Sequence, residues 1–250
     1  MTKVVIHGAE GRMGRLLAKL VDSAADVELV GLVTEPGRSL AVGQLHERLP
    51  VIGQDRMASD LAPGSVVIDF SLAPALTGLL AAAKKLESPL VIGTTGYSPA
   101  QLAELGAFAT TLPVVMAANF SVGIPTLQML LQLLARTLPV GFDAAQLETH
   151  HVTKIDQPSG TARHLAEVWQ QHRGSDEATT ASQRLGGVVG EHTWTFSDQE
   201  ETLVVTHRAH SRRAFMRGVL PAVRFVAQGA PGLYGLTDVL QGSVAGPDSV

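Results

Sequence analysis

The sequence predicts an α/β protein: a Rossmann-type doubly wound parallel sheet domain plus a smaller α+β domain with a mixed or antiparallel sheet. Three observations carry that expectation. A β-branched run, Val4-Val5-Ile6, enters a glycine turn and then a helix-periodic stretch. Short apolar strands and helical stretches go on alternating as far as Ser121, which favours a parallel sheet covered by helices. Beyond Val122 the rhythm changes to a long apolar helix and then to strands of different spacing. The boundaries expected are 1–121 for the first domain, completed by about 213–250, and 122–212 for the second.

The first strand leads into His7-Gly8-Ala9-Glu10-Gly11-Arg12-Met13-Gly14, after which Met13, Leu16, Leu17, Leu20 and Val21 share one helix face. Val27 to Val33 supplies the second strand. In this order Gly8 and Gly11 allow a tight turn whose backbone approaches a pyrophosphate, Gly14 lets the helix pack on the sheet, and the helix N-terminus faces phosphate charge. The spacing is GxxGxxG, a departure from the commoner GxGxxG, and its placement between strand and helix is what gives it weight as a dinucleotide site. After the second strand, Glu35 suits a ribose 2′-hydroxyl and Arg38 a 2′-phosphate, so the two point to opposite cofactors, with a solvated loop ion pair as the plainer reading of Arg38.

Strands are expected at Val66 to Phe70, Leu90 to Ile92 and Val114 to Met116, with helices at Leu76 to Lys85 and Pro99 to Ala109. Ligands lie beyond the carboxyl ends of such strands. Gly93-Thr94-Thr95-Gly96 and Ala117-Ala118-Asn119-Phe120-Ser121 follow two of those ends, and their small side chains and exposed backbone suit a nicotinamide carboxamide. Asp69, at another strand end, reads either as part of that site or as a structural cap.

Composition excludes several classes of function. The 250 residues contain no cysteine, so disulfides, thiolate catalysis and cysteine metal sites are out. A formal net charge of -4, with 45% hydrophobic and 17% charged residues, gives no basic surface of the kind nucleic acid demands. Apolar runs end well before the ~20 residues needed to span a bilayer, and His7 and Gly8 cut short anything resembling a signal peptide. The partner expected is a small molecule, with neither nucleic acid nor membrane, in the cytoplasm.

In the second domain a helix is expected from about Ile124 to Leu138, a strand at Gln146 to His151, a helix at Thr161 to Arg173, and two antiparallel strands at Val188 to Phe196 and Thr202 to Ala209. Gly174 to Gln183 is polar and reads as a loop, and the chain from about Phe215 turns helix-like again. The chemistry is expected in Glu148 to Ala162, ETHHVTKIDQPSGTA. Successive strand side chains point to opposite faces, so His150 and His151 cannot share an ion while the strand continues, although Glu148, His150 and Asp156 remain a conceivable ligand set. Lys154 is positioned to give a proton or hold an anion, and free N–H groups where Ser159-Gly160-Thr161 opens a helix suit a carboxylate.

Taken together, GAEGRMG, DFS at Asp69, GTTG, AANFSVG, ETHHVTKIDQPSGTA, GEHTWTF and THRAHSR resemble, in order and over nearly the whole chain, the 4-hydroxy-tetrahydrodipicolinate (dihydrodipicolinate) reductases of the diaminopimelate route to lysine. The resemblance implies His150 as general acid or base and Lys154 as proton donor. It implies substrate carboxylate binding by His151, Ser159, Gly160 and Thr161. NADH or NADPH would be held by Gly8, Ala9, Glu10, Gly11, Arg12 and Met13, by Glu35, by Gly93, Thr94 and Thr95, and by Ala117, Ala118, Asn119 and Phe120. Arg212, also a cofactor residue, and Phe215 would lie near a hinge whose closure completes the site, no metal is implied, and members are typically homotetramers joined through the second domain's sheet. Two departures stand out: Thr34-Glu35 replaces the usual acidic-arginine pair, which points to NADH, and the connection before Gly190 is shorter than in many relatives, which puts the tetramer contacts there in question. The rivals are another two-domain nicotinamide dehydrogenase, which has no reason to carry HHxxK before PSGT, and a noncatalytic dinucleotide sensor, which has no reason to keep His150 and Lys154.

Overall fold

The computed structural model describes residues 1–174 and 178–244. They form two compact units, Met1–Phe120 with the chain from Phe215 onward, and Ser121–Ala214. The first unit opens with β1 (Thr2–His7), α1 (Arg12–Asp22), β2 (Val27–Thr34), β3 (Val51–Gly53) and the short α2 (Met57–Asp60). It continues through β4 (Val66–Asp69), α3 (Leu76–Lys85), β5 (Leu90–Ile92), α4 (Pro99–Ala109) and β6 (Pro113–Met116). The second unit contains α5 (Gly123–Thr137), β7 (Asp143–His150), α6 (Gly160–Arg173), β8 (Thr179–Arg184), β9 (Gly190–Ser197) and β10 (Thr202–Ala209). The chain then returns to the first unit with α7 (Val219–Gln228), β11 (Gly232–Tyr234) and α8 (Leu236–Val244).

Among the described residues the first unit's sheet has the order β11-β6-β5-β4-β1-β2-β3, and its registered pairs are parallel. Parallel strands bury both faces, and the alternation in β1 and β4 serves two cores. Val4, Ile6, Val66 and Ile68 pack with α1, α7 and α8 through Leu17, Val21, Val223 and Val239, while Val5 and Val67 pack with α3 and α4 through Leu79, Ala83 and Leu105. Each of these Val, Leu and Ile side chains contributes about 1.5–3 kcal/mol by leaving water. Strand order reverses between β1 and β4, and this places a ligand crevice at the carboxyl ends of those two strands.

The second unit's sheet runs β10-β9-β7-β8; β7 and β8 are parallel, and the other pairs are antiparallel. One face is covered by α5 and α6, where Trp169, Trp194 and Phe196 cluster with ring centroids 4.9 to 6.0 Å apart beside Leu127 and Leu131. The structure corrects one expectation. The polar stretch Gly174 to Gln183 is not simply a loop, because Thr179–Arg184 forms β8; residues 175–177 of that stretch lie outside the described residues. As an edge strand of polar side chains, β8 lacks the apolar alternation that marks a half-buried strand. β3 and β11 are three residues each, too short to show a period. No helix among the described residues is long and apolar enough to cross a membrane.

Candidate active site and cofactor cleft

In the first unit, β1 ends at His7 and the chain turns at Gly8, whose φ is +81°. A Cβ there would lie 2.5 Å from the Phe70 carbonyl oxygen, and one on Gly14 would lie 2.3 Å from the Gly8 carbonyl oxygen, so both positions require glycine. The turn is held because the Gly8 and Ala9 N–H groups both donate to the Val33 carbonyl, at 2.9 and 3.0 Å. Gly11 caps α1 with no side-chain acceptor and no acidic residue in the first turn, which leaves that helix start to an external anion.

A cavity of about 640 Å3 opens at this turn, lined by Gly8, Glu10, Gly11, Thr34, Glu35 and Arg38 together with Gln54, Phe70 and Ser71. Arg38 sits between two carboxylates there, with Nη2 2.9 Å from Glu10 Oε1 and Nη1 3.4 Å from Glu35 Oε1. The Thr34 hydroxyl donates to Glu10 Oε2 at 2.6 Å. Below the turn, His7 Nδ1 lies 2.7 Å from Asp69 Oδ1, and the hydroxyl of Thr94 donates to Asp69 Oδ2 at 2.7 Å while accepting the Ser71 N–H at 2.9 Å. Burial pushes the Asp69 pKa up, but His7 and the hydroxyls of Ser71 and Thr94 outweigh it, and the carboxyl titrates below the usual range. Asp69 is therefore a buried anchor of the strand ends, as the structural-cap reading had it.

In the second unit, strand alternation writes one continuous face. Ala144, Gln146, Glu148 and His150 of β7 stand beside Phe196, Trp194 and His192 of β9, with Val205 and His207 of β10 next in the register. The face is apolar at one end and carries titratable groups at the other. Glu148 is fully buried. Its Oε2 is hydrogen-bonded to His150 Nδ1, and its Oε1 is 2.9 Å from Arg184 Nη2. Burial raises the Glu148 pKa, but Arg184, Ser182 and His150 lower it further than burial raises it. Burial pushes His150 below the usual imidazole range, against the pull of Glu148, so the ring is neutral at physiological pH. His192 packs edge-on against it, ring centroids 5.4 Å apart, and burial drives the His192 pKa down to about 4.

β7 stops at His150, and His151 lies in the following turn with its Nδ1 2.7 Å from the Thr153 hydroxyl. No cluster of metal-ligating side chains occurs among the described residues, Glu148, His150 and Asp156 included. Lys154 Nζ is 2.7 Å from Asp156 Oδ1, and Asp156, held below the usual carboxylate range by Lys154, also takes a hydrogen bond from the Gly160 backbone. The start of α6 is thus less open than the sequence suggests, since the Ser159 hydroxyl also accepts the Ala162 N–H, at 3.1 Å.

Sequence profiles described as "Dihydrodipicolinate reductase, N-terminus" and "Dihydrodipicolinate reductase, C-terminus" match residues 2–120 and 123–240. The chain belongs to the dihydrodipicolinate reductase family. It is 37% identical to the 4-hydroxy-tetrahydrodipicolinate reductase of Alkalilimnicola ehrlichii over 96% of this chain and 98% of that one. It is 38% identical to the same-named protein of Myxococcus xanthus, again over 96% and 98%. The fold matches a dipicolinate-bound dihydrodipicolinate reductase from Paenisporosarcina sp. TG-14, with a TM-score of 0.81 and 24% identity over 95% of this chain and 99% of that one. As a member of this reductase family, the chain is an NAD(P)H-dependent oxidoreductase.

The residues carried over from the family sort by placement. Gly8, Glu10, Gly11 and Glu35 line the cleft, Arg12 is exposed at the start of α1, and Ala9 is buried in the turn with Met13 packed beside it. Gly93 and Thr95 follow β5, but the hydroxyl of Thr94 is engaged with Asp69 and Ser71. Ala117, Ala118 and Asn119 follow β6, whereas Phe120 is wholly buried, its ring 5.8 Å from Phe70, its N–H donating to the Phe215 carbonyl at 3.0 Å and its carbonyl accepting the Gly218 N–H at 2.8 Å. Arg212 is exposed on the short turn Arg212–Met216. Sequence reasoning assigned no role to Gln54, Phe70, Arg184, His192 or His207. Alternation in GEHTWTF, which puts His192 on the face of Trp194 and Phe196, was the available signal for one of them.

Proposed function

We propose that this chain reduces 4-hydroxy-tetrahydrodipicolinate to tetrahydrodipicolinate, with loss of water, in the diaminopimelate route to lysine. Family membership supports the reaction, and the observation that carries the residue roles is that Arg184 joins Glu148, the partner of His150, to the main chain of Lys154 and Asp156, all within one unit. Reduced nicotinamide, when bound at the glycine turn, supplies the hydride. Both glycine contacts and the uncapped α1 N-terminus fit a pyrophosphate.

The carboxylate of Glu148 at Nδ1 fixes the His150 tautomer and leaves Nε2 as its proton-accepting atom. Lys154 Nζ holds the proton delivered beside the reduced carbon. His151, Ser159, Gly160 and Thr161 bind a substrate carboxylate, for which Asp156 stands in at Lys154 and Gly160. Arg38 is already matched by Glu10 and Glu35, and a 2′-phosphate would meet those carboxylates, so NADH is the preferred donor. The enzyme is a cytoplasmic homotetramer joined through the open face of the second sheet, where Leu147 and Val204 are 43% and 55% exposed.

A coupled assay that generates the condensation product of pyruvate and aspartate semialdehyde, with NADH and NADPH oxidation followed in parallel, tests the reaction. Oxidation of neither cofactor would rule it out. Sedimentation at equilibrium tests the tetramer.

A further inference from the structure

A fully buried carboxylate is costly unless both oxygens are satisfied. Glu148 has a hydrogen bond with His150 on one oxygen, and the other, which has no hydrogen-bond partner, is held by the charge of Arg184, Nη2 to Oε1 2.9 Å. The Arg184 side chain is only 10% exposed, and its guanidinium reaches further. Its Nε donates to the Lys154 carbonyl at 3.1 Å, Nη2 also donates to the Asp156 carbonyl, and Nη1 donates to the Gln183 carbonyl at 2.7 Å. One planar group thus touches the partner of His150 and the main chain of the turn that carries Lys154 and Asp156. Only the arginine fork, with five donors in fixed directions, spans these acceptors; an ammonium on a flexible stem cannot.

We infer that Arg184 is a positioning residue for the reaction, setting His150 through Glu148 and Lys154 through its backbone carbonyl. The inference rests on the proton-transfer roles proposed for those two residues. It separates into a charge effect and a geometric effect. The charged or titratable groups facing His150 are Glu148 on its own strand, Arg184 on β8, Lys154 in the following turn and His192 on β9. Removing the Arg184 charge leaves Glu148 acting on the imidazole with less opposition, so the ring holds its proton to higher pH. Removing only the fork leaves that titration alone and loosens the turn.

Two variants distinguish these effects. Arg184→Met is expected to move the His150-governed limb of kcat/KM upward by about one pH unit, and Arg184→Lys to leave that limb in place while lowering kcat about 10- to 100-fold through misplacement of Lys154. NADH affinity, which reads the first unit, is expected to stay unchanged in both. Wild-type kcat in Arg184→Lys would overturn the geometric half, and an unmoved limb in Arg184→Met would overturn the charge half. Should Arg184→Met fail to fold, Glu148→Gln takes its place, with the limb expected to fall because the anion is gone; an unmoved limb there counts equally against the charge half. NMR titration of His150, assigned with His150→Gln, reads the same shift in protein that turns over no substrate. The inference is therefore tested even if the proposed reaction fails.

Discussion

Lys154 and Asp156 form an ion pair, Nζ to Oδ1 2.7 Å, while the same carboxylate takes a hydrogen bond from the Gly160 backbone. An internal anion therefore occupies the proposed proton donor, Lys154, and one group proposed to hold a substrate carboxylate, the Gly160 backbone. Asp156→Asn is expected to tighten binding of pyridine-2,6-dicarboxylate several-fold, read by calorimetry, because a charge that competes for Lys154 is removed. Weaker binding in that variant would mean that Asp156 supports the site instead of competing for it.

Lys154→Ala is expected to lower kcat by a factor of about 100 or more, the usual scale of positioned proton transfer, with NADH affinity unchanged. Steady-state kinetics together with NADH fluorescence titration separate the two quantities. Unchanged turnover would remove Lys154 from the mechanism.

The proposed preference for NADH rests on Glu10, Arg38 and Glu35. The expected kcat/KM is higher for NADH than for NADPH, and Glu35→Gln is expected to narrow the gap by roughly tenfold, since one carboxylate at a 2′-phosphate position is worth on the order of 1 kcal/mol near a surface. A wild-type ratio that favours NADPH would contradict the reading of Glu35.

Acid sensitivity should trace to His192, which ionises at about 4 in the folded chain against 6.5 in the unfolded one. Because the unfolded state takes up this proton first, the associated stability is present above pH 6.5 and is lost as pH falls toward 4. The full difference corresponds to roughly 3 kcal/mol, of which about 2 kcal/mol is gone by pH 5. His150 and His207, also lowered by burial, act in the same direction, whereas Asp69 and Glu148, lowered by their partners, lose their contributions only at more acid pH. Urea midpoints at pH 7.5 and pH 5 should therefore converge in His192→Gln relative to wild type. An equal acid loss in both proteins would assign the effect elsewhere.

The parallel fold was legible because β1, α1 and β2 combine local propensity with a glycine turn whose constraints are severe: Gly8 at positive φ and Gly14 against the Gly8 carbonyl permit almost nothing else. Strand alternation, by contrast, does not separate His150 from His151, because β7 ends between them, at His150, one residue short of the expected strand. Other features leave no local trace. β8 is a polar edge strand, so Arg184 was hidden with it. The hydroxyl of Thr94, just past β5, turns toward Asp69 at the end of the neighbouring β4, and the ring of Phe120 joins a core. The Asp156 contact at the start of α6 depends on the path of a turn that residue types alone do not specify.

One consequence follows from the shared face of β7 and β9, on which Gln146, Glu148 and His150 follow the same alternation as Trp194 and His192. A slip of one residue would turn that whole row to solvent at once. Aromatic burial and proton chemistry thus stand or fall on a single alignment. Misregistered copies of this sheet would unfold rather than persist as intact but inactive enzyme, and partial activity should arise from altered side chains alone.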